Sequence, residues 1–164
     1  MAARPPSDAV VALRSLGRRY RALFAGRGDD EAPDDLARRI GAEGRSAFDH
    51  IAGASRTLTT CGRALDHVLV EGDPHLDPMS TDTSVREAEQ QPGGTVEERI
   101  AELEVDANRL ADRAARVGAR EWGRQATRDD GSTVRASELL WDGVDDAIEH
   151  LRAAERVLSE VRGR

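Results

Sequence analysis

The sequence predicts an all-α protein, a left-handed four-helix bundle formed by residues 1–164 as a single domain. Three observations predict it. Four segments repeat apolar residues at alternating steps of four and three, the 3.5-residue period of a narrow, supercoiling seam. Aromatic residues make up only 3% of the chain, so the core must come from Ala, Leu, Val and Ile, which suits close-packed helices better than a sheet sandwich. Helix-start and helix-stop residues also fall between the four segments, where a bundle needs them.

The first segment is Ala9, Leu13, Leu16, Tyr20, Leu23. Pro5-Pro6 precede it, Ser7 or Asp8 is its expected cap, and Gly26, Gly28 and Pro33 end it. The second is Ala47, Ile51, Ala54, Leu58, Cys61, Leu65, Val68, with Ser46 as its cap after Gly44. The third is Val96, Ile100, Leu103, Ala107, Leu110, Ala114, Val117. Thr95 and Glu98 form a capping box at its start, after Pro92-Gly93-Gly94, and Gly118 marks its end. The fourth is Leu140, Val144, Ala147, Leu151, Ala154, Leu158, Val161, with Asp130-Gly131 as a turn before it and Thr133 as its expected cap.

The connections are uneven. Residues 72–94 are too long for a hairpin turn and are expected to run across the bundle. Residues 119–134 read as a second, irregular link holding Trp122. Trp122 and Trp141 are expected to cover the bundle end.

Charge and composition exclude several function classes. All 24 basic residues are Arg, against 31 acids, for a net charge of −7. The absence of Lys points to codon bias rather than function. An acidic surface without a basic, aromatic-interleaved patch is unsuited to nucleic acid. No run approaches the roughly 20 apolar residues of a membrane span, and the N-terminus has no signal-type apolar stretch. Cys61 is the one cysteine, so no disulfide framework exists, and its seam position predicts a small buried hydrophobe. A cytoplasmic protein is expected, with neither a nucleic-acid nor a membrane partner. A small-molecule or protein ligand, and a homodimer, stay open.

The stretch DDAIEH in the fourth helix carries the candidate chemistry. Asp145 and Glu149 are spaced i, i+4, as are Asp146 and His150, and such pairs share a helix face in the manner of a two-ligand metal clip. Asp145 and Glu149 read either as oxygen ligands for a hard cation or as a solvated flank with Glu149 facing Arg152. Asp146 and His150 read either as a clip completed by His50 from the second helix, or as a surface Asp–His pair beside a half-buried histidine. His67 and His75 are expected to face solvent.

Three stretches carry a family resemblance. They are Arg45-Ser46-Ala47-Phe48-Asp49-His50-Ile51-Ala52-Gly53; Trp122 with Asp130-Gly131 and Thr133-Val134; and the frame from Asp145 to Glu155, DDAIEHLRAAE. The chain resembles the DinB-like superfamily, which includes mycothiol-dependent maleylpyruvate isomerases and bacillithiol transferases. The resemblance implies a bundle with zinc or nickel held by one histidine from the second helix and two from the fourth, activating a low-molecular-weight thiol. The ligand positions it implies are Gly53, Asp145 and Glu149, and none of them is histidine. The expectation is therefore a DinB-like protein that has lost the usual metal site, needs no cofactor and acts by binding. The alternative is a metal- and thiol-dependent transferase or isomerase with a divergent site between the second and fourth helices, using His50, Asp146 and His150.

Overall fold

The computed structural model describes residues 4–25, 31–71, 74–76 and 93–163. Its helices are α1 (Pro6–Phe24), α2 (Pro33–Arg38), α3 (Ala47–Val70), α4 (Val96–Arg116) and α5 (Ala136–Arg162). Three short strands, β1 (His75–Leu76), β2 (Gln125–Arg128) and β3 (Thr133–Arg135), form a sheet in that order, β1 parallel and β3 antiparallel to β2. The four long helices are the four seam segments, and they make a four-helix bundle.

The seams are the core. All seven α3 seam residues and all seven of α5 are buried, and one continuous cluster joins them to those of α1 and α4. Only the seam ends differ. Leu23 and Val117 are half-buried, because the last turn of a helix has fewer neighbours to cover it.

The order of helices around the bundle does not follow the order of helices in the chain. α1 packs against α4 and α5, and α3 packs against the same two, so α1 and α3 sit on one diagonal and α4 and α5 on the other. Side-chain contacts give the directions. Arg14 reaches Asp112 while Arg21 reaches Glu97, so α1 and α4 are antiparallel. Ser55 meets Asp106 and Asp66 meets Arg113, so α3 and α4 are parallel. His50 meets His150 and Cys61 meets Leu139, so α3 and α5 are antiparallel. The chain therefore runs up, down, down, up. A parallel neighbour needs a connection that returns along the whole preceding helix. For α3, with 24 residues, that is about 36 Å. This is the physical reason for the length of the 72–94 link, most of which lies outside the described residues.

Caps follow the sequence at two helices and depart from it at two. Ser46 and Asp49 form a reciprocal box at α3, and Thr95 and Glu98 form one at α4. At α1 neither Ser7 nor Asp8 caps. The helix opens at Pro6 after an extended Pro5, because proline gives up no needed donor in the first turn. Thr133 does not cap the last helix either. It starts β3, and α5 begins at Ala136, with the Arg135 amide donating to Glu138 Oε2 at 2.8 Å. The expected Asp130-Gly131 turn joins β2 to β3, with Gly131 at φ 78° and the Ser132 amide donating to Asp130 Oδ1 at 2.8 Å. The link at 119–134 is thus a short 3₁₀ turn (Glu121–Gly123) followed by a hairpin.

Gly26 and Gly28 lie outside the described residues. Pro33, expected to end the first helix, opens α2 instead. α2 buries Leu36 and Ala37, and its Asp34 accepts the Val96 amide at 2.6 Å. It thereby ties down the start of α4 near the start of α3. Among the described residues no helix is long and apolar enough to cross a membrane.

Candidate functional site

The α3–α5 pair is held close by small residues. A Cβ on Gly53 of α3 would lie 2.6 Å from His150 Cε1, and a Cβ on Gly143 of α5 would lie 2.6 Å from both Cβ and Sγ of Cys61. Each helix thus offers a glycine to a side chain of the other, at two levels two turns apart. The α3 glycine makes room for the ring at 150.

At that level His50 and His150 meet. Their Nδ1 atoms are 3.3 Å apart, and the ring centroids are 5.6 Å apart at an interplanar angle of 50°. His50 is only 6% exposed, one of two buried polar or charged side chains among the described residues. Desolvation lowers the pKa of His50, with Arg45 adding to the effect while Asp49 and Glu43 oppose it. Desolvation lowers His150 further, to about 4, with help from His50, Arg45 and Arg56. Both imidazoles are therefore neutral at pH 7. A neutral ring carries one N–H and one lone pair, so the close pair requires opposite tautomers, one Nδ1–H donating to the other Nδ1.

The other candidates lie elsewhere. Asp145 pairs with Arg4 at 2.9 Å, and both side chains are about half exposed. Glu149 faces Arg156 at 3.2 Å and Arg152 at 3.6 Å; these partners hold its carboxyl below the usual range. Both are surface carboxylates in ion pairs. Asp146 has its pKa raised by desolvation and by Asp142 and Asp145. It lines an open cleft beside Cys61, Leu139 and Asp142. Its charge adds to the upward shift of the Cys61 thiol.

Cys61 is 3% exposed, its thiol donates to the Leu139 carbonyl at 3.4 Å, and burial pushes its pKa up to about 12. It is a packing residue, as its seam position implies. His67 and His75 face solvent as expected, beside Glu71 and Asp129. Trp141 is half-buried, donates from Nε1 to the Arg4 carbonyl at 3.1 Å and lies under the Arg4 guanidinium at 3.5 Å.

The family resemblance implies a three-ligand metal centre between α3 and α5. Such a site needs three converging donors. The α3 position facing His150 is Gly53, which has no side-chain donor. Among the described residues no cluster of three His, Cys, Asp or Glu side chains could hold a metal ion. Sequence reasoning put both histidines at one candidate site, as ligands with Asp146, but not in direct contact with each other. The signal available was Gly53 itself, whose value lies in space rather than ligation.

No protein-family profile matches the chain, and no curated protein matches it by sequence. Among solved structures it is similar to YfiT from Bacillus subtilis, described as "a probable metal-dependent hydrolase with an unusual four-helix bundle topology". The similarity has a TM-score of 0.74 at 12% identity and covers 99% of this chain and 90% of that one. At that identity the likeness is one of fold: this chain has the four-helix-bundle fold of YfiT.

Proposed function

We propose that this protein is a binding protein on a YfiT-like, DinB-like bundle, in which a direct contact between His50 and His150 has replaced an inter-helix metal centre. The Nδ1–Nδ1 distance of 3.3 Å carries the reading. Two neutral rings at hydrogen-bond distance satisfy each other without a metal. Gly53 opposite His150 provides no third donor, and Asp145 and Glu149 are engaged in surface ion pairs. On this reading the chain needs no cofactor, and its partner is a small molecule or a protein rather than nucleic acid.

The same distance favours a second reading. Two zinc–nitrogen bonds of about 2.0–2.1 Å at a tetrahedral angle put their nitrogens roughly 3.3–3.4 Å apart. His50 and His150 are therefore also spaced as two corners of a zinc or nickel site, whose other positions would be left to substrate or solvent, as in the metal- and thiol-dependent alternative. Competition against a chelator, on protein purified without a metal-affinity tag, separates the two. The binding reading expects wild type, His50→Ala and His150→Ala to hold zinc equally weakly. Tight, stoichiometric zinc that either substitution abolishes would establish the second reading.

A further inference from the structure

Trp141 and Asp145 share a face of α5 at i, i+4 spacing and hold one residue, Arg4, at three points. The Arg4 guanidinium lies over the Trp141 ring, 3.5 Å from its centroid. Its Nη2 donates to Asp145 Oδ1 at 2.9 Å. The Trp141 indole Nε1–H donates to the Arg4 carbonyl at 3.1 Å. The ring, the carboxylate and the indole N–H thus each read a different part of one arginyl residue. The occupant arrives on a stiff arm. Pro5 is extended, at φ −68° and ψ 140°, and a residue that precedes proline is itself confined to extended conformations. The Arg4 and Asp145 side chains are 50% and 53% exposed, so this contact can open without disturbing the core.

Tethering the start of a helix needs only a cation beside a carboxylate. This notch is matched to more than charge, because a Lys ammonium has no plane to stack on the ring. An extended, proline-flanked segment laid on an aromatic side chain is also a recurring mode of peptide recognition. We propose that Trp141 and Asp145 form a binding notch for an arginine that precedes proline in an extended segment of a partner peptide, and that Arg4 fills it in cis as a displaceable strap. The proposal gives the binding reading a partner class and rests on it. The two can fail separately, because the contacts of the notch involve neither His50 nor His150.

The probe is the peptide acetyl-Ala-Ala-Arg-Pro-Pro-amide, which copies residues 2–6, with lysine and citrulline peptides as controls. Each is titrated into the full chain carrying Arg4→Ala, and the Trp141 indole N–H resonance is followed by NMR. The arginine peptide should shift it saturably, with a Kd on the order of ten millimolar. Either control peptide, or the arginine peptide on Arg4→Ala with Asp145→Asn, should bind at least about threefold more weakly. Wild type should also bind more weakly than Arg4→Ala, because its own arm competes at high effective concentration. Zinc competition on the same samples reads the histidine pair independently. Equal binding of a control peptide, no effect of Asp145→Asn, or equal binding by wild type and Arg4→Ala would each overturn the proposal. So would no binding to Arg4→Ala, which would make Arg4 a tether in cis alone.

Discussion

The ring of His150 occupies the space that a side chain on Gly53 would fill, its Cε1 lying 2.6 Å from where that Cβ would be. The glycine is what lets the ring reach His50 across the α3–α5 interface. Gly53→Ala should therefore push the ring aside and break the histidine contact. The gain in helix propensity, about 1 kcal/mol, should be outweighed by overpacking of about 1–3 kcal/mol. In His150→Ala the same glycine change should become neutral or stabilising. A double-mutant cycle in denaturant measures the coupling, and strictly additive effects would contradict this contact.

Stability should fall with acid through this pair. The ordinary histidine value is 6.5; burial holds His50 below it and His150 at about 4. As pH falls from about 6.5, the unfolded chain takes up protons that the folded chain refuses, so the pair's contribution is present above 6.5 and is lost toward 4. A second proton also leaves both rings as donors with no acceptor between them. Melting temperatures from pH 7 to 4 should fall more steeply for wild type than for His150→Gln. Parallel curves would show that the pair does not titrate this way.

Cys61 should be inert in the folded protein. Its thiol is buried, bonded to Leu139 and raised to about 12, so the reactive thiolate is scarce at pH 8. Alkylation by iodoacetamide should proceed only as fast as the bundle opens. Gly143→Ala puts a methyl against Cβ and Sγ of Cys61, which must separate the helices. It should cost about 1–3 kcal/mol and speed labelling. Rapid alkylation of the wild type would rule out the packing role.

The seam should carry the stability of the fold. Leu58, Leu103 and Leu151 are 1%, 0% and 5% exposed and lie in three different long helices. Truncation of each to Ala should cost on the order of 2–5 kcal/mol, the spread reflecting how far each site can collapse. Urea unfolding of the three variants tests this, and three values near zero would show that the core lies elsewhere.

What the sequence determined by itself is the set of faces. A 3.5-residue period sets the angle at which each side chain leaves its helix, so Ile51, Leu103 and Leu151 could be assigned to the interior, and Glu149 to the outside, from spacing alone. Ser46 with Asp49 and Thr95 with Glu98 marked two helix starts, because a capping box is satisfied within one turn. Period alone does not say which helices are neighbours. The up, down, down, up order depends on contacts between residues far apart in the chain, and on links whose routes carry no periodic signal. The small sheet escaped for the same reason: β1, β2 and β3 are too short to show alternation, and β1 finds its partner about fifty residues later. The site followed suit. Sequence placed His50 and His150 on their helices, but only tertiary packing brought the two rings together. It did so through Gly53, a residue that acts by the volume it leaves empty, which no ligand pattern can register.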